Sequence, residues 1–357
     1  MVLKIINGSD LMLNVVFSSD DAYSALLAVA VTSLLENNSQ DFDSINVYIL
    51  DNGISAAGRE RISLVCENYP CRVTFIKSGV AESMDISLVP MDGNAIASSS
   101  LTTYNRLFLS TLLPPDVDKV IYLDCDGIVT GSLKPLWMSD ISDVYCAGVI
   151  QSSFTRALKR EFWFFDVDNY INAGFLYINL KKWRCDNVED DFIKFLSAHQ
   201  GEYFCADQGV LNKTFEGKIR IIEPKYNLIG SYQDYDFTYS KKLKFLELDN
   251  YSKETIISSS ENPVFVHFAG ESDLPWLNCQ NKYFHDFKRY AEICGAESII
   301  RCSQTPSRFS GQFKRLRRHV LKLIIFLAPA GFLIRRSDRH AIEVFEAEVM
   351  RAQNRHD

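Results

Sequence analysis

The sequence predicts an α/β domain with a mostly parallel central sheet flanked by helices. Short apolar runs alternate with Ala/Leu-rich segments from residue 13 onward, and most of the runs end in clusters of Ser, Asp, Asn or Gly. One run, VIYL at 120–123, has no charged position, as expected of a central strand buried on both faces.

In order, residues 13–17 read as a strand ending in Ser18, Ser19, Asp20 and Asp21, and residues 23–35 as a helix that either aspartate can cap. Residues 45–50 form a second strand before Asp51, Asn52 and Gly53. Residues 55–66 follow as a helix and 73–76 as a third strand. Residues 78–100 are small and irregular, and 101–113 are predicted helical until Pro114 and Pro115 stop them. The buried strand 120–123 runs into Asp124, Cys125 and Asp126, at the carboxyl end where open α/β sheets bind ligands. Further strands are expected at 145–150, 174–180, 219–222 and 264–268. A polar loop or short helix is expected at 235–260, and a helix at 282–293. The division predicted is one domain over 1–277 and a helical C-terminal region over 278–357.

With 357 residues, 47% of them hydrophobic and 23% charged, the chain has a globular composition, and its net charge of -7 argues against a nucleic-acid surface. The charge is uneven: residues 298–337 hold nine Lys/Arg and no acid. Within them, 320–334 is apolar apart from Lys322 and shorter than the roughly 20 residues that span a bilayer. It is bracketed by KRLRRH and by Arg335 and Arg336, which suits a segment, about 308–336, lying on an anionic leaflet. The expectation is a cytoplasmic protein held peripherally at the inner face of the cytoplasmic membrane. Nine scattered cysteines without a CxxC pair fit neither a disulfide framework nor a zinc site, and read as free thiols of a reducing compartment; the N-terminus does not read as a signal peptide.

The most informative segment is VIYLDCDGIV at 120–129. Two carboxylates at i and i+2 after a buried strand supply hard oxygen ligands for one divalent cation, which can neutralise the phosphates of a nucleotide leaving group. Two chemistries share this shape. Haloacid-dehalogenase phosphatases carry DxDGT, but Ile128 stands at the Thr place and about 120 residues precede the motif. A nucleotide-sugar transferase is the other, and more of the chain agrees with it.

VVFSSDDAYSALLAVAVTSLLENN, TYNRLFL, YLDCDGIV with GSLKPLW, INAGFLYINLKKWR, ADQGVLN, KYNL and VHFAG...PW follow one another over residues 13–276. In these segments the chain resembles glycosyltransferase family 8, retaining enzymes that include bacterial lipopolysaccharide glucosyl- and galactosyltransferases. The resemblance implies a GT-A-type nucleotide-sugar-binding domain over 1–277. It also implies transfer of glucose or galactose from a UDP-sugar to a lipopolysaccharide or other lipid-linked glycan. By the same resemblance Asp124, Asp126 and His267 would hold Mn²⁺, with Mg²⁺ as an alternative. Ser18 and Asp20 would hold uridine and ribose, Arg106 would face the donor sugar, and Asn172, Ala173 and Gly174 would line its pocket. Gly270 would contact the donor, and Asp207 and Gln208 would sit against the reacting ring. An amide at Gln208 is a poor nucleophile, so retention is expected through same-face exchange, with Asp207 stabilising the oxocarbenium-like charge.

Bland readings exist for several of these residues. Arg106 can simply pair with an acid, Asp20 can serve only as a cap, and His267 can be a core histidine. Trp137, Trp183 and Trp276 read as core. The chain also departs from the family pattern at two places. Leu274 stands where the closing motif carries a phosphate-facing Lys, a charge-assisted contact of about 1.5–3 kcal/mol. Ala22 stands where Asn is common. The alternative these departures imply is a catalytically weak UDP-sugar-binding or scaffolding protein.

Overall fold

Strand β1 (Met12–Ser19) is central because both its faces are apolar, with Leu13, Val15, Val16 and Phe17 wholly buried. It pairs in parallel with β2 (Ser44–Asp51) on one side and β4 (Lys119–Leu123) on the other, and β3 (Cys71–Lys77) extends the sheet beyond β2. The structure, a computed structural model, describes residues 11–79, 103–151, 169–199, 206–233, 251–269 and 274–302. They belong to one compact unit. A second unit, 236–247 with 303–357, lies outside the described residues, as does the basic segment at about 308–336.

Beyond β4 come β7 (Ile171–Asn179), β6 (Cys146–Ile150) and β8 (Ile219–Ile221), so the order is β3-β2-β1-β4-β7-β6-β8. β7 runs antiparallel to both neighbours and the remaining pairs are parallel, as the mostly parallel prediction requires. All nine residues of β7 are buried, and it begins at Ile171, three residues before the predicted start. Its antiparallel course places its first residues at the same sheet edge as the carboxyl ends of β1 and β4, with Leu123 opposite Phe175.

Two features depart from the periodicity. The predicted helix at 101–113 is helical over the described residues 103–112, but a 3₁₀ stretch at Asn105–Phe108 interrupts it before the last α-turn at Leu109–Leu112. Asn105, Arg106, Leu107 and Phe108 are all buried, so this segment has no solvent face. The strand expected at 264–268 forms as β9 (Phe265–His267) but leaves the main sheet. It pairs antiparallel with the short β5 (Gly127–Val129), Gly127 opposite His267.

Helix α1 (Ser24–Asn38) covers one face and packs against α2 (Ala56–Cys66). Neither aspartate caps α1, whose N-cap is Tyr23: Asp20 Oδ1 accepts from the Tyr23 amide at 3.1 Å in the turn before the helix, and Asp21 Oδ1 accepts from the Ser55 amide at 2.9 Å, at the start of α2. On the other face, α3 (Leu180–Asp186), α4 (Val188–His199) and α5 (Ala206–Thr214) enclose an aromatic cluster in which Trp183 meets Phe192 and Phe215 edge-on at 5.7 and 5.2 Å. Trp183 and Trp137 are core residues, as expected. Helix α6 (Lys253–Glu261) falls in the stretch expected to be loop or short helix. The predicted helix at 282–293 forms as α7 (Phe284–Ile293) and packs on α1, where Asn37 Nδ2 donates to the Tyr290 hydroxyl at 2.8 Å.

Candidate active site

The site forms where β1, β4 and the start of β7 end on one edge of the sheet. The Asp124 amide donates to Gly174 O at 2.9 Å, tying the loop after β4 to β7, and the Cys125 thiol donates to Ser18 O at 3.2 Å, tying it to β1. The Phe268 amide donates to Asp126 O at 2.9 Å, which locks β9 beside the same loop. Three strands distant in sequence therefore converge on the short step between Asp124 and Asp126.

Asp124, Asp126 and His267 each offer a ligand atom within 4.8 Å of the others. His267 Nε2 lies 3.2 Å from an Asp126 oxygen and 3.7 Å from one of Asp124. The imidazole is 2% exposed. Burial alone would push its pKa down, but the Asp126 carboxylate more than offsets this and holds it above the ordinary 6.5. Burial likewise pushes Asp126 up, and His267 reverses the direction and leaves it below its usual value.

The site fits a cation on two further counts. Two carboxylates and one imidazole are a donor set for Mn²⁺ or Mg²⁺. The backbone is also cut back there: a methyl on Gly174 would lie 2.0 Å from His267 Cε1 and 2.9 Å from Asp124 Oδ2, so only glycine lets β7 pass behind the ligands. Gly127 has a similar role in β5, where a methyl would meet the Phe265 ring at 2.3 Å.

Arg106 is 4% exposed and occupies the centre of the other half. Its Nη2 donates to Asp124 Oδ1 at 2.9 Å, Nη1 to Ala173 O at 2.7 Å, and Nε lies 3.0 Å from Asp207 Oδ2. The guanidinium also sits over the Tyr122 ring at 4.5 Å. Burial disfavours its charge, but Asp124 and Asp207 outweigh that and keep it protonated. Burial pushes Asp207, 6% exposed, above the usual carboxylate range, and Arg106 offsets only some of the shift. The pairing read as the bland alternative for Arg106 is thus present, with two acids rather than one. Both belong to the predicted site.

Gln208 Oε1 accepts from the Ala173 amide at 3.0 Å and from Asn172 Nδ2 at 3.3 Å, and its Nε2 donates to the Tyr170 hydroxyl at 3.2 Å. Asn172, Ala173, Gly174, Asp207 and Gln208 are therefore one contiguous group. Ser18 accepts from Asn52 Nδ2 at 3.2 Å at the β1 end, where Asp20 holds the turn before α1. Gly270 lies outside the described residues, and Leu274 is partly exposed at the start of the following turn.

Sequence reasoning passed over Asn227, Gln151 and Tyr170. Asn227 was visible within KYNL, but nothing local distinguishes its amide from any turn asparagine.

Similarity to known proteins agrees with this arrangement. Residues 14–280 match the family described as Glycosyl transferase family 8. A putative glycosyltransferase of Haemophilus influenzae is 31% identical over 62% of this chain and 65% of its own length. An Escherichia coli lipopolysaccharide 1,2-glucosyltransferase is 27% identical over 86% of this chain and 82% of its own. Among solved structures, galactosyltransferase LgtC in complex with donor and acceptor sugar analogs aligns with a TM-score of 0.59 and 26% identity, over 84% of this chain and 99% of that one. With a match across three quarters of its length and a GT-A-like sheet, the chain belongs to glycosyl transferase family 8.

Proposed function

We propose that the protein moves a hexose, glucose or galactose, with retention from a UDP-sugar to a lipopolysaccharide or other lipid-linked glycan. The observation that carries this is the convergence of Asp124, Asp126 and His267 beside the Arg106–Asp207 pair and the Asn172–Gly174 and Gln208 group. Asp124, Asp126 and His267 would hold a divalent cation, read as Mn²⁺, which when bound neutralises the diphosphate of the donor. Arg106 orients Asp124 and Asp207 through its guanidinium. Asn172, Ala173 and Gly174 shape the sugar side, Ser18 and Asp20 the uridine side, and Gly270 completes the donor contacts. Asp207 supplies negative charge near the reacting ring. Gln208, whose oxygen is already engaged by the Ala173 amide, orients rather than attacks.

The test is UDP release from a panel of UDP-sugars with purified protein, Mn²⁺ and a truncated lipopolysaccharide acceptor. Turnover with one hexose is expected, and EDTA or the double substitution Asp124→Ala/Asp126→Ala should lower it about 10³-fold or more. UDP binding without turnover of any donor would instead favour the sugar-nucleotide-binding reading that Leu274 suggests.

Mn²⁺ affinity should rise with pH. The extra His267 proton must leave before the ring coordinates, and the Asp126 carboxylate holds the His267 titration above the ordinary 6.5. Below that titration, affinity by calorimetry should gain about tenfold per pH unit and then level off; affinity flat from pH 6 to 9 would be incompatible with His267 as a ligand.

We also propose that the segment at about 308–336 holds the enzyme at the inner face of the cytoplasmic membrane, beside a lipid-linked acceptor. Among the described residues no helix is long and apolar enough to cross a membrane. Deleting residues 303–357 should abolish co-sedimentation with anionic vesicles at low salt; a truncated chain that still sediments would refute the anchor.

A further inference from the structure

On the reading that Asp124, Asp126 and His267 hold a divalent cation, we infer that Asn227 is a positioning residue. It commits the His267 proton to Nδ1 and so reserves Nε2 for the metal. Asn227 is wholly buried at the end of the 3₁₀ turn Pro224–Tyr226, and its Oδ1 lies 3.0 Å from His267 Nδ1. On the opposite side of the ring, Nε2 faces Asp126 and Asp124.

Which end of the Asn227 amide faces the histidine follows from a backbone donor. The Gly174 amide can only donate, and it donates to Asn172 Oδ1 at 2.9 Å. That atom is therefore an oxygen. The Asn227 atom 2.8 Å from the same oxygen must be a donor, which makes it Nδ2. The other end, facing His267, is then Oδ1, an acceptor only, and the imidazole nitrogen beside it must carry hydrogen.

The remaining contacts agree with this polarity. Asn172 Nδ2 donates to Gln151 Oε1 at 2.7 Å and to Gln208 Oε1 at 3.3 Å, and the second of these oxygens is itself fixed as acceptor by the Ala173 amide. Two main-chain N–H groups of β7 thus set the direction of a buried amide relay, Gln208–Asn172–Asn227–His267, which joins the sugar side of the site to the metal side. Outer partners of this kind fix ring orientation and tautomer, and their loss typically costs about 10–100-fold in metal affinity.

Two measurements test it on the full chain. In long-range ¹H–¹⁵N spectra of the Mg²⁺-loaded wild type, His267, assigned by its absence in His267→Gln, should show a protonated Nδ1 and an unprotonated Nε2. The opposite tautomer would overturn the inference whether or not any variant folds. In Mn²⁺ titrations, Asn227→Leu, which fills the space without an acceptor, should bind about 10–100-fold more weakly, whereas Asn227→Asp, which keeps an acceptor toward Nδ1 but sets a second oxygen against Asn172 Oδ1, should bind more tightly than Asn227→Leu. Wild-type affinity in a folded Asn227→Leu would also overturn it. A wild type that bound no Mn²⁺ would defeat the metal reading instead.

Discussion

Replacing Arg106 by alanine is expected to destabilise the protein by about 3–5 kcal/mol, the cost of removing one partner from a buried ion pair. The guanidinium is 4% exposed and answers four acceptors at once, Asp124, Asp207, Ala173 O and Thr103 O. Without it Asp207, 6% exposed, would be left charged with no cation beside it. Its carboxyl already sits above the usual range, so the folded state disfavours the ionised form. The variant's loss is therefore present above the unfolded carboxyl's titration, about pH 3.9, and shrinks in acid as Asp207 protonates. Urea melts of wild type and variant at pH 7.5 and pH 5 would show the narrowing gap, and an equal or wider gap in acid would exclude Asp207 as the origin. Arg106→Lys should fall between the two, because one ammonium cannot reach all four acceptors with fork geometry.

Substituting alanine for Gly174 is the second large effect expected. The added methyl would lie 2.0 Å from His267 Cε1, 2.6 Å from its Nδ1 and 2.9 Å from Asp124 Oδ2. The ring cannot yield freely, since Asn227 holds one side and β9 is paired to β5 through Gly127 and His267. Overpacking of this kind costs about 1–3 kcal/mol, and here the strain falls on two proposed metal ligands. Mn²⁺ affinity should fall at least about tenfold, with a lower melting temperature. At Gly79 an added methyl meets nothing within 4 Å, and Gly79→Ala is the neutral control. Unchanged affinity in Gly174→Ala would show that the ring can move away from the strand without cost to the site.

Much of this site could be read along the chain because its components are contiguous in sequence. A buried strand that ends in Asp124 and Asp126, a Ser18–Asp20 turn before a helix and the INAG start of β7 are each local patterns. The alternation of apolar runs and helical segments was enough to establish the α/β class and most strand positions, because period and burial are encoded residue by residue.

Pairing and direction required the folded chain. The apolar run at 264–268 looks like any sheet strand. It pairs with β5 instead of the main sheet because Gly127, lacking a side chain, allows Phe265 to close over it. The end of the helix around Arg106 was marked by Pro114, but its tightening into a 3₁₀ stretch at Asn105–Phe108, where every residue is buried, left no periodic trace in the sequence. The orientation of the Asn227 amide depends on a Gly174 N–H more than fifty residues away, a relation that no window of sequence contains. Fold class and the residue types of the candidate site were thus legible along the chain, since both reside in local pattern and residue type. Which atoms of those residues meet was settled in three dimensions, because hydrogen-bond direction and close backbone approach depend on contacts between segments that are adjacent only once the chain has folded.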